Sequence, residues 1–449
     1  MGGLLALILF LLVFILILKG YPVAFTLAGV SVLFAIVVSL INPELFDLRN
    51  FDLLPSRFMG TINNVLLMAV PLFIYMGVMF QKSGLAEKLL ETMAYLFGSL
   101  KGGLAVSVVI VGGLLAASTG IVGATVVTMG VISLPVLLKR GYKPELATGV
   151  IASSGTLGQI IPPSVILILL ADQIGANTRG VSQVDVGTMF KAAIIPGLIL
   201  VASYVAYIIV IGYLKPSWAP SIPKQEIAAM RGTGFLKRIF KAFLLPLSLI
   251  VIVLGSIFYG IASPTEAAAV GALGATILTA VEGKLSLSNL KEVMKQTVNV
   301  SSMVFVILLG ATTFSMVFRT LGGDEYIVSL ITQSNISPMF FLAMVMVIVF
   351  ISGFFIDFIE IIFIFVPVIT PIFDLYEVNM LWVGILLALN LQTSFLTPPF
   401  GFSLFYLKGV SPPEISTGVL YRGIIPFIVI QLVTIILLIV FPEILNLTT

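Results

Sequence analysis

Apolar runs of about twenty residues, each long enough to cross a hydrocarbon layer, recur from one end of the chain to the other. Their limits predict helices over 3–18, 22–41, 61–80, 102–138, 145–171, 188–214, 237–259, 264–281, 299–320, 337–375, 380–407 and 418–441. Two of these are too long for one crossing and carry small or polar residues at their centres. They are 102–138, with Gly112, Gly113, Ser118, Thr119, Gly120 and Gly123, and 337–375, with Ser352, Gly353, Asp357 and Glu360. Each fits two half-helices that enter and leave on one side, a re-entrant hairpin. One long tilted helix with tolerated glycines, or two thin full spans, is the competing reading. In 85–97, Leu85, Leu89, Met93 and Leu96 share one helical face and Glu87, Lys88 and Glu91 lie elsewhere. That suits a short helix lying in the membrane interface; a plain extension of the preceding span fits equally. Segment 324–331 is of the same kind.

Composition narrows the solvent. Charged residues make up 10% of the 449 and apolar ones 59%, against roughly 25% charged in a soluble domain, so no large soluble domain fits. The chain has no Cys and no His, which excludes disulfides, thiolate metal sites, Cys or His nucleophiles and a His proton relay. A net charge of +3 is too small to suggest nucleic acid. Leu4 to Leu18 has no positive residue before it, and Lys19 follows it. It is expected to be a retained first span and not a signal peptide.

Charge also orients the chain. With both long elements as hairpins and Lys139, Arg140 and Lys143 in the cytoplasm, only Arg49, Arg57, Arg179, Lys191 and Arg319 of the 23 basic residues fall outside. The positive-inside rule is then met. Reading 102–138 as one crossing flips every later loop. The basic segment 215–241, with Lys215, Lys224, Arg231, Lys237, Arg238 and Lys241, would then contradict the Lys139 cluster. Both termini are expected outside.

The two halves share their punctuation. Pro22 and Gly29 recur as Pro264 and Gly271, and Phe80, Gly84 and Glu87 as Phe318, Gly322 and Glu325. Pro135, Pro162 and Pro163 recur as Pro371, Pro398 and Pro399, a constant offset of 236. Five crossings and one hairpin per half is an odd number of crossings, so the second half is inverted, as in alternating-access transporters. The expected fold is an all-α polytopic membrane protein built as an inverted-repeat transporter, with two re-entrant helical hairpins and two broken transmembrane helices. Residues 1–214 form the first repeat, with hairpin 102–138 and broken helix 145–171. Residues 215–241 form a cytoplasmic linker. Residues 242–449 form the second repeat, with hairpin 337–375 and broken helix 380–407.

Candidate chemistry gathers at Ser153 to Ser164 and Asn390 to Gly401, near the centres of apolar spans. Each contains two consecutive prolines, which remove two backbone donors and clash with the preceding turn. Unwound backbone at that depth persists only if buried in protein or facing a cavity. Its freed carbonyls, with Ser and Thr hydroxyls beside them, can coordinate a small hard cation; a plain kink is the alternative. Ser118, Thr119 and Gly120 would form one hairpin tip and Gly353 to Asp357 the other. Half-helix N-termini aimed at mid-membrane suit an anion. Asp357 and Glu360 are the acidic residues placed deep in the membrane, where such groups point to function. A helix N-cap for Asp357 and a protein-facing hydrogen bond for Glu360 compete with ion coupling or gating. Glu266, near a span end, is expected to cap.

At Ser153 to Ser164, Gly353 to Asp357 and Asn390 to Gly401, the chain resembles the large permease subunit of tripartite ATP-independent periplasmic (TRAP) transporters. The likeness runs over nearly its whole length. It implies an elevator-type fold of the ion-transporter superfamily in the bacterial inner membrane, where the outside termini expected from charge would be periplasmic. It also implies sodium as the coupling ion and no organic cofactor. The partners implied are a small four-helix membrane subunit and a periplasmic binding protein that delivers an organic acid. The family's sodium sites match Ser118, Thr119, Ser153, Ser154, Gly155, Thr156, Gly353, Asp357, Thr393 and Thr397. Ser118, Gly120, Asn390, Thr393, Pro162 and Pro398 are the candidates to hold substrate. Gln392-Thr393-Ser394-Phe395 stands where sialic-acid and C4-dicarboxylate members more often carry Glu-Ile-Gly, which suggests a small monocarboxylate such as a 2-oxo acid or lactate. A stand-alone sodium- or proton-driven anion or dicarboxylate symporter is the alternative; an intramembrane enzyme or a channel finds no matching residues.

The topology is open to test because the chain has no Cys of its own. Single cysteines at positions 140 and 225 are expected to label from the cytoplasm and one at position 180 from outside; the opposite pattern would overturn the orientation.

Overall fold

A computed structural model of the chain describes residues 1–120, 122–178, 184–223, 225–227 and 239–447. The Thr119 side chain lies outside the described residues, as do Arg179, Gly180, Lys224, Arg231, Lys237 and Arg238. Every regular element among the described residues is helical, and nine helices are long and apolar enough to cross a membrane.

The first half runs through α1 Gly2–Leu18, α2 Val23–Ile41, α3 Leu54–Ile62, α4 Ala69–Lys82, α5 Leu85–Phe97, α6 Gly103–Thr119, α7 Val122–Lys139, α8 Pro144–Thr156, α9 Val165–Asn177 and α10 Val186–Leu214. The second runs through α11 Leu245–Phe258, α12 Pro264–Val281, α13 Leu287–Thr320, α14 Gly323–Gln333, α15 Pro338–Ser352, α16 Phe358–Leu375, α17 Met380–Leu396, α18 Phe402–Val410 and α19 Thr417–Val440.

Several expected limits change, each for a local reason. The helix expected over 61–80 is interrupted at Asn63 and Asn64, and the Asn64 carboxamide oxygen accepts from Leu66 N at 3.0 Å to cap the next turn. The helix expected from 299 begins at Leu287, behind Ser286, whose hydroxyl accepts from Asn289 N at 3.1 Å. Its first turns are polar and so fall outside an apolar window. Segment 85–97 is a helix of its own. Gly84 turns the chain at φ +71°, a region open to glycine, so α5 does not extend α4. Gly322 at φ +75° does the same before α14. Glu266 caps as expected, in a reciprocal box with Ser263.

Neither long element is a single helix. Segment 102–138 breaks at Gly120, in the left-handed region at φ +60° with its N–H donating to Ala116 O at 2.9 Å. Segment 337–375 breaks over residues 353–357. In each pair the two arms pack against one another. The arms α6, α7, α15 and α16 hold 17, 18, 15 and 18 residues. The second arms thus reach spanning length.

Packing between the halves comes in exchanged pairs. Helix α4 lies on α12, and α13 lies on α2. Helix α16 lies on α9, and α7 lies on α18; α19 covers α8, and α17 meets α10. Lipid tails are as apolar as leucine, so close approach of small residues drives such contacts. Helices α8 and α19 cross at two glycines: a Cβ on Gly149 would lie 2.1 Å from Gly423 O, and one on Gly423 would lie 2.1 Å from Glu145 O.

The described part of the linker is tied down. Trp218 stacks between Lys143 Nζ at 3.7 Å and Lys215 Nζ at 4.1 Å. Gly102 N donates to Ala219 O at 3.0 Å, and Ile222 N to Gly98 O at 2.7 Å. Arg140 pairs with Glu226, and this hydrogen bond holds the Glu226 carboxyl below its ordinary range.

Gly149→Ala is expected to force α8 and α19 apart and lower the melting midpoint, an overpacking cost of about 1–3 kcal/mol. Gly29→Ala, where a Cβ meets nothing within 4 Å, is the control expected to keep the midpoint or raise it slightly, since Ala favours a helix interior over Gly. Equal midpoints for both variants would contradict the close crossing.

Candidate functional site

Both proline pairs interrupt helices, the first in the buried interior and the second where Pro399 is exposed. Helix α8 ends at Thr156, passes through a tight turn at Leu157–Gln159, and the chain resumes as α9 at Val165. Helix α17 ends at Leu396 and the chain resumes as α18 at Phe402. A proline four residues after a carbonyl cannot supply that carbonyl's helical donor. In each half the carbonyl four before the second proline is filled by a serine beyond the break. Ser164 Oγ donates to Gln159 O, and Ser403 Oγ donates to Phe395 O, both at 2.8 Å. Tyr421 Oη donates to Pro399 O at 2.7 Å. Both Pro–Pro peptide bonds are cis.

The hairpins close over the breaks through glycines. A Cβ on Gly112 of α6 would lie 2.6 Å from Ser154 Oγ, and one on Gly353 would lie 2.1 Å from Ser394 Oγ. A Cβ on Gly158 would come within 2.5 Å of Ala116 O, and Gly120 lies against Val165. Gly155 packs on Val126 of α7. Helix α17 packs against both α8 and the turn at Leu157–Gln159. The two breaks and the two tips therefore form one cluster, and Ser153, Ser154, Thr156 and Thr393 are fully buried in it.

The expected site residues fall into distinct groups. Ser153, Ser154 and Thr156 donate to Val150 O, Ile151 O and Ser153 O at 2.8–3.1 Å. Thr393 and Thr397 donate to Leu389 O and Thr393 O, both at 2.7 Å. Ser118 sits in the last turn of α6 and donates to Leu115 O at 2.8 Å. Every one of these hydroxyls has its hydrogen committed and keeps its lone pairs. Pro162 is buried, whereas Thr397 and Pro398 are half-buried, so the second break is the more open. Asn390 is spent elsewhere, its amide donating to Met346 O at 2.8 Å to join α17 to α15.

Asp357 caps α16. Its carboxylate accepts from Phe358 N at 2.6 Å, and Glu360 reaches back to Asp357 N at 3.3 Å. The α16 N-terminus thus already carries two acidic side chains, which corrects the expectation that this half-helix offers itself to an anion. Among the half-helices at the breaks, α9 is capped by Ser164, while α18 begins at Gly401 with no side-chain cap.

Gln159 had drawn no role from the sequence, and Gln392 only a place in the Gln392-to-Phe395 segment that suggests the acid. Gln159 and Gln392 are fully buried, and neither amide nitrogen nor oxygen has a hydrogen-bond partner. Burying such an amide unpaired costs about 1–3 kcal/mol. Their place just before a proline pair inside an apolar span was the available signal.

The family model of the tripartite ATP-independent periplasmic transporter, DctM component, matches residues 10–444. The chain belongs to this family. The C4-dicarboxylate TRAP transporter large permease protein DctM of Pseudomonas aeruginosa is 30% identical over 411 residues, 91% of each chain. The sialic acid TRAP transporter large permease protein SiaM of Vibrio cholerae is 28% identical, with 94% of this chain and 93% of that one covered. The ectoine/5-hydroxyectoine large permease protein UehC of Ruegeria pomeroyi is 28% identical, covering 97% and 96%. Among solved structures, the YdaH transporter of Alcanivorax borkumensis superposes with a TM-score of 0.63 at 16% identity, over 88% of each chain. MtrF of Neisseria gonorrhoeae gives 0.57 at 13% identity, over 88% of this chain and 83% of that one. At those identities the likeness is one of fold. As a TRAP large permease the protein is a multi-pass inner-membrane protein, and its family implies a small membrane subunit and a periplasmic binding protein as partners.

Substitution at Asp357 separates capping from any further role. Asn caps about as well as Asp, whereas Ala costs about 1 kcal/mol. Asp357→Asn is expected to keep the melting midpoint and impair uptake, and Asp357→Ala to lower both. Normal uptake with Asn would reduce Asp357 to a cap.

Proposed function

We propose that this TRAP large permease imports an organic acid together with sodium ions, the acid arriving on the periplasmic binding protein. The observation that carries the reading is the meeting of both proline breaks with both hairpin tips in one buried cluster. A sodium ion asks for neutral or anionic oxygens at close range, as hard cations do. Ser153, Ser154, Thr156 and Thr393 supply hydroxyl oxygens whose lone pairs remain available. Pro162 leaves the carbonyl of Gly158 without its helical donor, whereas Ser394 O accepts from Thr397 N at 3.1 Å. Gln159 and Gln392 add unpartnered amide oxygens.

The uncapped start of α18 at Gly401 supports a carboxylate nearby, through backbone N–H groups and the helix dipole. A cation and an anion bound side by side favour one another, which is a physical basis for coupling. Gln392-Thr393-Ser394-Phe395 supports a small monocarboxylate, such as a 2-oxo acid or lactate, as the acid.

Alternating access follows from the inverted repeat in this reading. The proline offset of 236 and the exchanged packing of α4 on α12 and α13 on α2 support two equivalent halves of opposite orientation. Hairpins and broken helices would move as one body against the remaining helices, an elevator step. The pairing of the hairpin arms supports re-entry, since the length of α7 and α16 alone does not.

The test is uptake in proteoliposomes holding the permease, its small subunit and the binding protein. Uptake is expected to require both sodium and the binding protein. Thr156→Ala and Thr393→Ala are each expected to raise the half-saturating sodium concentration by about tenfold, the equivalent of ~1.4 kcal/mol. Unchanged sodium dependence in both variants would remove the site, and uptake without binding protein would favour a stand-alone symporter.

A further inference from the structure

Away from the breaks, a polar cavity of about 290 Å³ opens between α3, α9 and α13, with Pro367 of α16 at its edge. Its walls carry Arg57 and Thr61 from α3, Asp172 and Asn177 from α9, and Ser315 and Arg319 from α13. Polar side chains are costly at the margin of a membrane-spanning bundle unless something polar occupies the space between them.

The walls are already fixed by hydrogen bonds among themselves. Asn64 Nδ2 donates to Asp172 Oδ1 at 2.8 Å, and Gln173 Nε2 donates to Asp172 Oδ2 at 3.0 Å. Both oxygens of that carboxylate are engaged. Arg319 Nη2 donates to the Asn177 carboxamide oxygen, and Arg319 Nε lies 3.3 Å from Asp324 Oδ2. Of the two cations lining the cavity, Arg57 alone makes no ion pair among the described residues; the Asp172 carboxylate is held by neutral amides only. Its guanidinium offers a planar fork of donors. Thr61 Oγ1 donates to Arg57 O at 3.2 Å and can accept beside it, and Ser315 adds a hydroxyl that can donate or accept.

We propose that this cavity is a second, separate site for a small carboxylate, held by the Arg57 guanidinium with hydroxyl and Arg319 donors around it. The Arg57 fork can seat one carboxylate while both Asp172 oxygens stay turned to their amide donors, and the volume suits a solute of a few heavy atoms. Walls locked before the ligand arrives lower the ordering cost of binding. The assignment needs neither sodium coupling nor any domain movement, so it stands or falls apart from the transport reading.

The absence of native Cys supplies the test. Ser315→Cys in the purified full chain is reacted with a small neutral maleimide, with and without 10 mM pyruvate as the probe (about millimolar affinity is all this requires). Pyruvate is expected to slow labelling at least about threefold, without sodium and without the binding protein. Arg57→Gln is expected to abolish that protection and Arg57→Lys to keep part of it. Arg57 is exposed on α3, so its replacement should not unfold the chain; an unchanged melting midpoint checks this. No slowing by pyruvate would overturn the proposal, as would slowing that survives Arg57→Gln. Equal slowing by chloride or inorganic phosphate at matched ionic strength would also overturn it, leaving a general anion effect.

Discussion

Inside a hydrocarbon layer a backbone carbonyl has no water to turn to, so every one must find a donor within the protein. The two proline pairs break that requirement deliberately, once in each half. The protein repairs it with the side chains of Ser164 and Ser403, which fill equivalent carbonyls at equal distances. It then covers both repairs with hairpin tips whose glycines allow backbone contact. The rest of the interior is arranged around keeping these interrupted strands of backbone away from lipid.

That arrangement sorts the polar residues by what they are spent on. Ser164, Ser403 and Asn390 close gaps in the main chain or tie neighbouring helices together. Asp357 and Glu360 settle the start of α16. What is left at the cluster are oxygens with uncommitted lone pairs and the two amides of Gln159 and Gln392. A transporter needs such a remainder: groups whose cost is tolerated in the folded chain because a passing ion or acid relieves it.

Much of this was readable from residue order. Breaks in the two long elements followed from Gly120 and from Gly353 to Asp357, because small residues and a carboxylate do not sit mid-span without cause. The proline pairs marked the broken helices, and Ser263 with Glu266 marked a helix start. Other features were hidden for physical reasons. The early start of α13 lies in polar turns that a hydropathy window passes over. Asn64 breaks a helix through a side-chain bond that competes with the ladder, which composition does not reveal. The approach of Gly149 to Gly423 joins residues 274 positions apart, and nothing local signals it. The commitment of Asn390 to Met346, and the saturation of the α16 N-terminus, required knowing which neighbours lie across the packing.

The exchanged packing of the two halves bears on how the chain is made. Helix α4 finds its main partner in α12, and α2 finds its own in α13. At about 5–20 residues per second of synthesis, the early helices wait roughly ten seconds to the better part of a minute before those surfaces exist. During that interval their small-residue faces sit against lipid or the insertion machinery. Assembly is therefore a late, whole-chain event, and a ribosome that stops before α13 leaves behind helices that have crossed the bilayer without having folded.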